Sequence, residues 1–349
     1  MIREKQNIRG FSKEELTEFF VEQNEKAFRA KQVYEWLWKK GATSFDAMTN
    51  LSFNVREMLK EHFVFNSVEV AEKQVSTDRT IKSAFRLHDG KITEGVLIPG
   101  KKRMTACISS QVGCSLSCAF CATGKLDRLR NIDAEEIFDQ VVIIKNQAEK
   151  DYQRPLSNIV YMGMGEPLLN YKNVLRSVEM ITAEEGLGMS PKRITVSTAG
   201  IAKMIKQLGD DEVKFNLALS LHAATDAKRS EIMPINDSNS LEALSEALVY
   251  FHEKTGSRVT FEYIIFKDFN DSLEDAKDLA AFAKVVPCKI NIIEYNSIDD
   301  ALFEKADPEK TDKFAEFLEN TFNLIVNVRR SRGKDIDAAC GQLANKNSA

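Results

Sequence analysis

Cys114, Cys118 and Cys121 stand in one short run, Cys114-Ser115-Leu116-Ser117-Cys118-Ala119-Phe120-Cys121. Three thiolates this close can share a metal centre. Zinc in structural sites usually takes four ligands, and the nearest fourth cysteine, Cys107, precedes the loop on an expected strand. A [4Fe–4S] cluster also usually takes four cysteines. Held by three, it leaves one iron open to a small-molecule ligand. Two readings stand on spacing alone: a structural zinc site that borrows a histidine, and an iron–sulfur centre with an open position. The remaining cysteines, Cys288 and Cys340, lie far along the chain. The opening MIREKQNIRG lacks an apolar leader, so a cytoplasmic location is expected. There, structural disulfides explain clustered cysteines poorly.

These residues need a scaffold. The 349 residues suggest about two domains. Hydrophobic residues at 43% and charged residues at 29% fit a globular protein with a sizeable core. No apolar run approaches the roughly 18 residues of a spanning helix, so no membrane partner is expected. The net charge of −4 disfavours binding nucleic acid by bulk charge. Local basic clusters remain: Lys101, Lys102 and Arg103; Lys125, Arg128 and Arg130; Arg329, Arg330, Arg332 and Lys334. Any one of them can equally be a solvated face.

Apolar residues at spacings of three and four make 30–38 helical, with Gly41 as a stop, and extend to residue 65. A small helical domain over 1–66 is expected, its aromatics serving as core. Strand-like runs flank Asp89-Gly90, a hairpin signal, in a connector over 67–103. Beyond residue 104, strands are expected at 105–109, 159–162, 194–197, 215–221, 259–266, 290–295 and 325–328, with helices between them. Asp133 with Glu136 forms a capping-box pattern, and Ser272 is a further cap. Alternating β and α predicts a mostly parallel sheet. Six or seven units suit a barrel or partial barrel, with chemistry where the strands' C-terminal ends meet the loops.

The cysteine run, with an aromatic before its last cysteine, resembles the signature of the radical S-adenosylmethionine (SAM) superfamily. In that superfamily the open iron chelates the amino and carboxylate groups of SAM, and reductive cleavage yields a 5′-deoxyadenosyl radical. Ser109-Ser110-Gln111-Val112-Gly113-Cys114, Gly163-Met164-Gly165-Glu166-Pro167-Leu168, Ser220-Leu221-His222-Ala223, Met233-Pro234-Ile235-Asn236 and 335–343, which contains Cys340, resemble the RlmN family of dual-specificity RNA adenine C2-methyltransferases. The related Cfr enzymes methylate C8. Gly165-Glu166-Pro167 is closer to RlmN, since the Cfr pattern lacks the proline. The fold implied for 104–349 is a partial (βα)6-type radical SAM barrel, in an α/β chain with a small helical N-terminal domain that helps grip RNA.

The resemblance implies a mechanism. Adenine C2 is a poor nucleophile and a thiolate an excellent one. One SAM methylates Cys340, and a second, at a [4Fe–4S] cluster on Cys114, Cys118 and Cys121, supplies the radical. The methylene radical on Cys340 adds to C2. Glu94 matches the proton acceptor, and Cys107 matches the cysteine that resolves the adduct, leaving a transient Cys107–Cys340 disulfide. Gly165, Glu166, Ser197, Ser220, Leu221, His222 and Asn296 match SAM contacts. Ser297 departs from the proline that many members carry after Asn296, and the loop 298–307 is acidic. The partners implied are 23S rRNA at the peptidyl-transferase centre, tRNA at the adenosine 3′ of the anticodon, and a reducing electron donor. A monomer is expected. Without the resemblance, Glu94 reads as a cross-strand charge partner and His222 as a core histidine. A noncatalytic RNA-binding module around a zinc site is the rival from another class.

Overall fold

The computed structural model describes residues 5–299 and 302–345. The outer ends of the expected units 1–66 and 104–349, and residues 300–301 of the acidic loop, lie outside the described residues. Near the N-terminus, α1 (Lys13–Glu22) opens on a capping box in which Ser12 and Glu15 bond each other's amides. In α2 (Phe28–Trp38), Ala30, Val33, Leu37 and Trp38 form one buried face. Gly41 follows with φ +62°, a conformation costly for other residues, so the helix stops as expected. Ser52 caps α3 (Phe53–His62).

This helical layer is tied to the rest of the chain through a buried cation. Arg9 is fully buried, and its Nη1 lies 2.6 Å from Asp139 Oδ1 on α4 (Ala134–Tyr152). Its Nη2 donates to the Ala42 carbonyl at 2.8 Å, while Asp139 Oδ2 accepts the Val68 amide at 3.1 Å. Trp38 meets Phe138 edge-on at 5.2 Å beside this pair. Arg9→Met leaves Asp139 charged and buried without its cation, which typically costs about 3–5 kcal/mol. A matching loss in urea or thermal unfolding is the expected outcome, and an unchanged midpoint would mean the pair carries no net stabilisation.

The strands β1 (Glu69–Val75), β2 (Ile81–Arg86), β3 (Ile92–Pro99), β4 (Met104–Cys107), β5 (Asn158–Tyr161), β6 (Ile194–Thr198), β7 (Asn216–Ser220), β8 (Val259–Ile265), β9 (Cys288–Glu294) and β10 (Val326–Arg329) form one 10-stranded sheet. From β4 to β10 every neighbour is parallel and follows chain order. The crossovers are helical: α4, α5 (Tyr171–Thr182), α6 (Ala202–Asp210), α7 (Asp226–Ile232) with α8 (Leu241–Thr255), α9 (Leu273–Ala283) and α10 (Pro308–Phe322). Asp133 and Ser272 cap α4 and α9 in capping boxes. β8 is buried at every position, as a strand covered on both faces must be. This is the expected α/β fold with a parallel-rich sheet.

One feature differs from expectation. The hairpin around Asp89-Gly90 is not a separate connector, because β3 pairs antiparallel with β4 and carries β2 and β1 as an extension of the same sheet. Among the described residues the C-terminal segment forms no strand beside β4. β10 pairs with β9 at the far end of the parallel set, and residues 330–345 cross back as loop and one short 3-10 turn. Side chains fasten that crossing: Asp335 accepts from Ser76 and Thr77, Asp78 accepts the Gly333 amide at 3.0 Å, and Thr123 donates to the Leu343 carbonyl at 2.6 Å. No helix among the described residues is long and apolar enough to cross a membrane.

Candidate active site

The cysteine loop leaves the C-terminal end of β4, where a parallel sheet presents its chemistry. It turns tightly: the Cys121 amide donates to the Cys118 carbonyl at 3.2 Å and the Gly124 amide to the Cys121 carbonyl at 3.0 Å. The Ala119 amide bonds the Ile232 carbonyl at 3.0 Å, and the Ala122 amide bonds the Gly341 carbonyl at 2.7 Å. The loop is thus pinned between α7 and the residue after Cys340. Phe120 meets the His222 ring edge-on at 4.8 Å.

One cavity is walled by Cys114, Cys118 and Cys121 together with Gly165, Glu166, Ser197, Ser220, His222 and Cys340. A second cavity shares Cys121, Arg329 and Cys340 with the first and adds Cys107. Cysteines more than two hundred residues apart in the chain (Cys107 and Cys340) therefore face one space, both as free thiols. Three expected site residues stand elsewhere. Leu221 is buried in the main apolar core. Asn296 stands behind the wall, its Nδ2 donating to the Cys340 carbonyl at 3.2 Å, while its buried Oδ1 has no partner among the described residues. Glu94 lies beneath the tail: Oε2 accepts the Ala344 and Asn345 amides at 2.9 and 3.1 Å, and Oε1 is 3.5 Å from Lys82 Nζ. Cys288 is half-buried, its thiol donating to the Ala283 carbonyl, away from both cavities.

Burial sets the electrostatics. It pushes the Cys114 thiol up to about 11 and raises Cys118 and Cys121 as well. Cys107 is pushed up to about 12 by burial and then by neighbouring Cys340. Cys340 is exposed as a residue, while its thiol lies among protein groups. That burial raises its pKa, and the Arg329 charge opposes the shift. Burial also raises Glu166, against the Ala199 and Leu168 amides that donate to its two oxygens at 2.7 and 3.0 Å. An ionised carboxylate has about four acceptor sites, so capacity remains for an ammonium group.

The donor set fits an iron–sulfur cluster better than one zinc ion. Zinc with 2.3 Å bonds holds its sulfurs about 3.8 Å apart, whereas the three loop sulfurs are not all within 4.8 Å of one another. A cluster spreads its ligands wider, takes sulfur donors, and supplies the positive charge that three desolvated thiolates need. The spare capacity of Glu166, which lines the cavity, suits a polar ligand alongside.

His222 carries a pH signature. Its φ is +57°, and Nδ1 accepts the Ile264 amide at 3.0 Å, which leaves the proton on Nε2. Burial, aided by Arg229, lowers its pKa to about 3. The unfolded imidazole titrates near about 6.5. The native state therefore binds fewer protons, and this contribution to stability is full above about pH 6.5 and falls as pH drops toward about 3. His222→Asn keeps an acceptor for the amide and tolerates the positive φ. Its thermal midpoint is expected to depend less on pH across that window than the parent's; equal slopes would count against a neutral buried His222.

Gly165 is fixed by space and by backbone. Its φ is +92°, and a Cβ there would meet Gln111 atoms at 2.4 to 2.8 Å. Gln111 Oε1 accepts the Glu166 amide at 2.9 Å, so the contact also sets the carboxylate's place. Gly165→Ala is expected to cost about 3 kcal/mol or more from overpacking and strain. A differential scan that finds less than half of that would show the Gln111 contact to be soft.

Residues missed from sequence complete the wall. Glu262 Oε2 lies 3.1 Å from Arg329 Nη1, and its Oε1 accepts from Asn291 at 2.8 Å. A carboxylate in the middle of the mostly apolar strand Val259–Ile265 was the available signal. The Arg329–Lys334 cluster is committed to the protein's own acids: Arg330 and Lys334 to Glu294, Arg330 also to Asp312, Arg332 to Asp78. Arg130 likewise pairs with Asp89 and Glu136. Lys101, Lys102 and Arg103 lie exposed on the β3–β4 turn.

A parallel sheet with a three-cysteine loop at its C-terminal edge defines a radical SAM enzyme, and residues 108–282 match the Radical SAM superfamily. Such enzymes work with a [4Fe–4S] cluster and SAM. Residues 6–65 match the ribosomal RNA large subunit methyltransferase N-terminal domain. A probable dual-specificity RNA methyltransferase RlmN of Cytophaga hutchinsonii is 62% identical over 98% of this chain and 93% of its own length. One of Salinibacter ruber is 44% identical, over 95% and 92%. The crystal structure of a radical SAM methyltransferase from Sphaerobacter thermophilus superposes with a TM-score of 0.91 at 36% identity, covering 97% of this chain and 99% of that one. The chain belongs to the RlmN family of RNA methyltransferases.

Proposed function

We propose that this enzyme methylates C2 of adenosine in two RNAs, 23S rRNA at the peptidyl-transferase centre and tRNA at the adenosine 3′ of the anticodon. It does so through a methylated Cys340 and a transient Cys107–Cys340 disulfide, using two SAM molecules per turnover, in the cytoplasm. The observation that supports this reading is the convergence of Cys107, Cys340 and the three-cysteine loop on two adjoining cavities. The cluster and SAM, when bound on Cys114, Cys118, Cys121 and the Glu166 wall, supply a radical able to take hydrogen from a methyl group.

The chain's residues do the rest. Cys340 takes the methyl group as a thiolate, whose charge Arg329 favours. Asn296 and Gln342 hold its loop, through the Cys340 and Ser297 carbonyls. The carbon carried on Cys340 bonds C2, the radical adduct gives up one electron to the cluster held by Cys114, Cys118 and Cys121, and Glu94 accepts the C2 proton. Because Glu94 bonds the amides just after Leu343, that proton acceptor and the carrier loop share one anchor. Cys107 then attacks the Cys340 sulfur. The sulfur–carbon bond breaks, the carbon leaves with the electron pair and is protonated to methyl, and a disulfide forms. A cellular dithiol returns both cysteines to thiols. The target base must be extruded or single-stranded to reach this depth, and Lys101, Lys102 and Arg103 are the basic side chains disposed to meet phosphate.

Incubation with methyl-labelled SAM and both RNAs, followed by nucleoside analysis, tests the proposal. 2-Methyladenosine from both is expected. Label at C8 would indicate Cfr-type chemistry, and a tRNA left unlabelled would remove the dual specificity.

A further inference from the structure

Arg229 is a buried cation that no carboxylate touches. It sits on α7 with no solvent exposure. Its Nε donates to the Leu221 carbonyl at 3.2 Å and its Nη1 to Asn236 Oδ1 at 2.8 Å. Its Nη2 donates to the Ala199 and Ser220 carbonyls at 2.5 and 3.3 Å. Every acceptor is neutral, and no carboxylate oxygen among the described residues lies within 4.0 Å. A buried charge is costly unless an opposite charge answers it. Burial accordingly depresses this guanidinium to about 10, with Cys118 the leading influence in the other direction and Asp226 the next.

What it stands behind is the cysteine loop. Ala199 and Ser220, whose carbonyls it holds, line the cavity with Cys118, and α7 is bonded to the loop through Ile232 and Ala119. We propose that Arg229 is the fixed counter-charge of the iron–sulfur site: it offsets the negative charge of the Cys114, Cys118 and Cys121 thiolates and raises the reduction potential of the cluster they hold. Three thiolates on an oxidised cluster leave formally about one net negative charge, and one added electron makes about two. A nearby fixed cation stabilises the more negative state, so its removal makes reduction harder. The same cation positions the Ala199 and Ser220 carbonyls. The inference rests on the cluster reading and not on the identity of the RNA substrate.

The test uses the full chain, reconstituted anaerobically with iron and sulfide, as wild type and as Arg229→Gln, Arg229→Lys and Asp226→Asn. Iron and sulfide are counted, folding is followed by circular dichroism, and midpoint potentials are taken from dithionite titrations read by electron paramagnetic resonance. Arg229→Gln is expected to move the potential to more negative values, with Arg229→Lys staying near wild type. Asp226→Asn keeps an oxygen for the Asn236 and Leu241 bonds but removes a negative charge that Arg229 feels. Its potential is expected to rise. Unchanged potentials in fully loaded variants, or a lysine variant displaced as far as the glutamine one, overturn the proposal. If Arg229→Gln fails to fold, Asp226→Asn decides: a rise supports the counter-charge and no shift overturns it. A wild type that holds iron without sulfide instead removes the cluster reading.

Discussion

Replacing Cys340 with alanine is expected to lower RNA methylation by at least about a thousandfold, the scale seen when a nucleophile is deleted. The loss is chemical and not structural. Cys340 is held in its loop through its backbone carbonyl, by Asn296, and the neighbouring Gly341 carbonyl takes the Ala122 amide. Alanine preserves both bonds. Its side chain lines both cavities and belongs to none of the buried apolar clusters of the interior. The variant should therefore fold, hold its iron, and still cleave SAM reductively at a measurable rate. Robust methylation by Cys340→Ala would refute the carrier role. A variant that has lost both iron and fold would show that the loop depends on the thiol itself.

Cys107→Ala is expected to do the opposite in one respect: it should accumulate product-like material that cannot leave. With Cys340 intact, the methyl group is still loaded and still added to the base. The sulfur that breaks the last bond is missing, so protein and RNA remain joined. A denaturing gel should show a shifted band that nuclease digestion collapses to protein plus one modified nucleotide. The rate of free product should fall by about a thousandfold or more, like that of Cys340→Ala. Cys107 occupies a small apolar nest with Val96, Met164, Ala338 and Leu343. Alanine leaves a modest void there, so stability should fall by only about 1 kcal/mol. Inactivity with no joined species would remove Cys107 from the resolving role.

The strands from β4 to β10 were readable because each is a short apolar run set between helical repeats. The expected ends fall within two residues of those observed for all seven. β1 was not readable: in Glu69–Val75 both faces of the edge strand carry charge or stay exposed, so no alternation marks it. The cysteine loop and Cys340 were readable from spacing and from the family resemblance. Their convergence was not, since the crossing of residues 330–345 depends on Ser76, Thr77, Asp78 and Thr123, which local pattern does not connect to it. The basic cluster at 329–334 was visible, but its neutralisation depends on Glu262 and Glu294, acids on two other strands. Glu94 shows the cross-strand pairing with Lys82 that local pattern suggests, while its bonds to the tail that follows Cys340 could not be read from sequence. Arg229 left no local signal, because a lone arginine on a short helix resembles any surface cation until the fold closes over it.

The most direct measurement of the carrier chemistry is the hydrogen content of the transferred methyl group. The enzyme is first loaded with SAM bearing a fully deuterated methyl, and RNA methylated in ordinary water is then digested for mass spectrometry. Passage through Cys340 requires one deuterium to be taken from the sulfur-bound methyl before carbon meets the base, and the third hydrogen must return from another source. A methyl group with two deuteriums and one hydrogen is expected. Intact transfer of all three would contradict the account, because it would mean that the group never paused on sulfur to lose one.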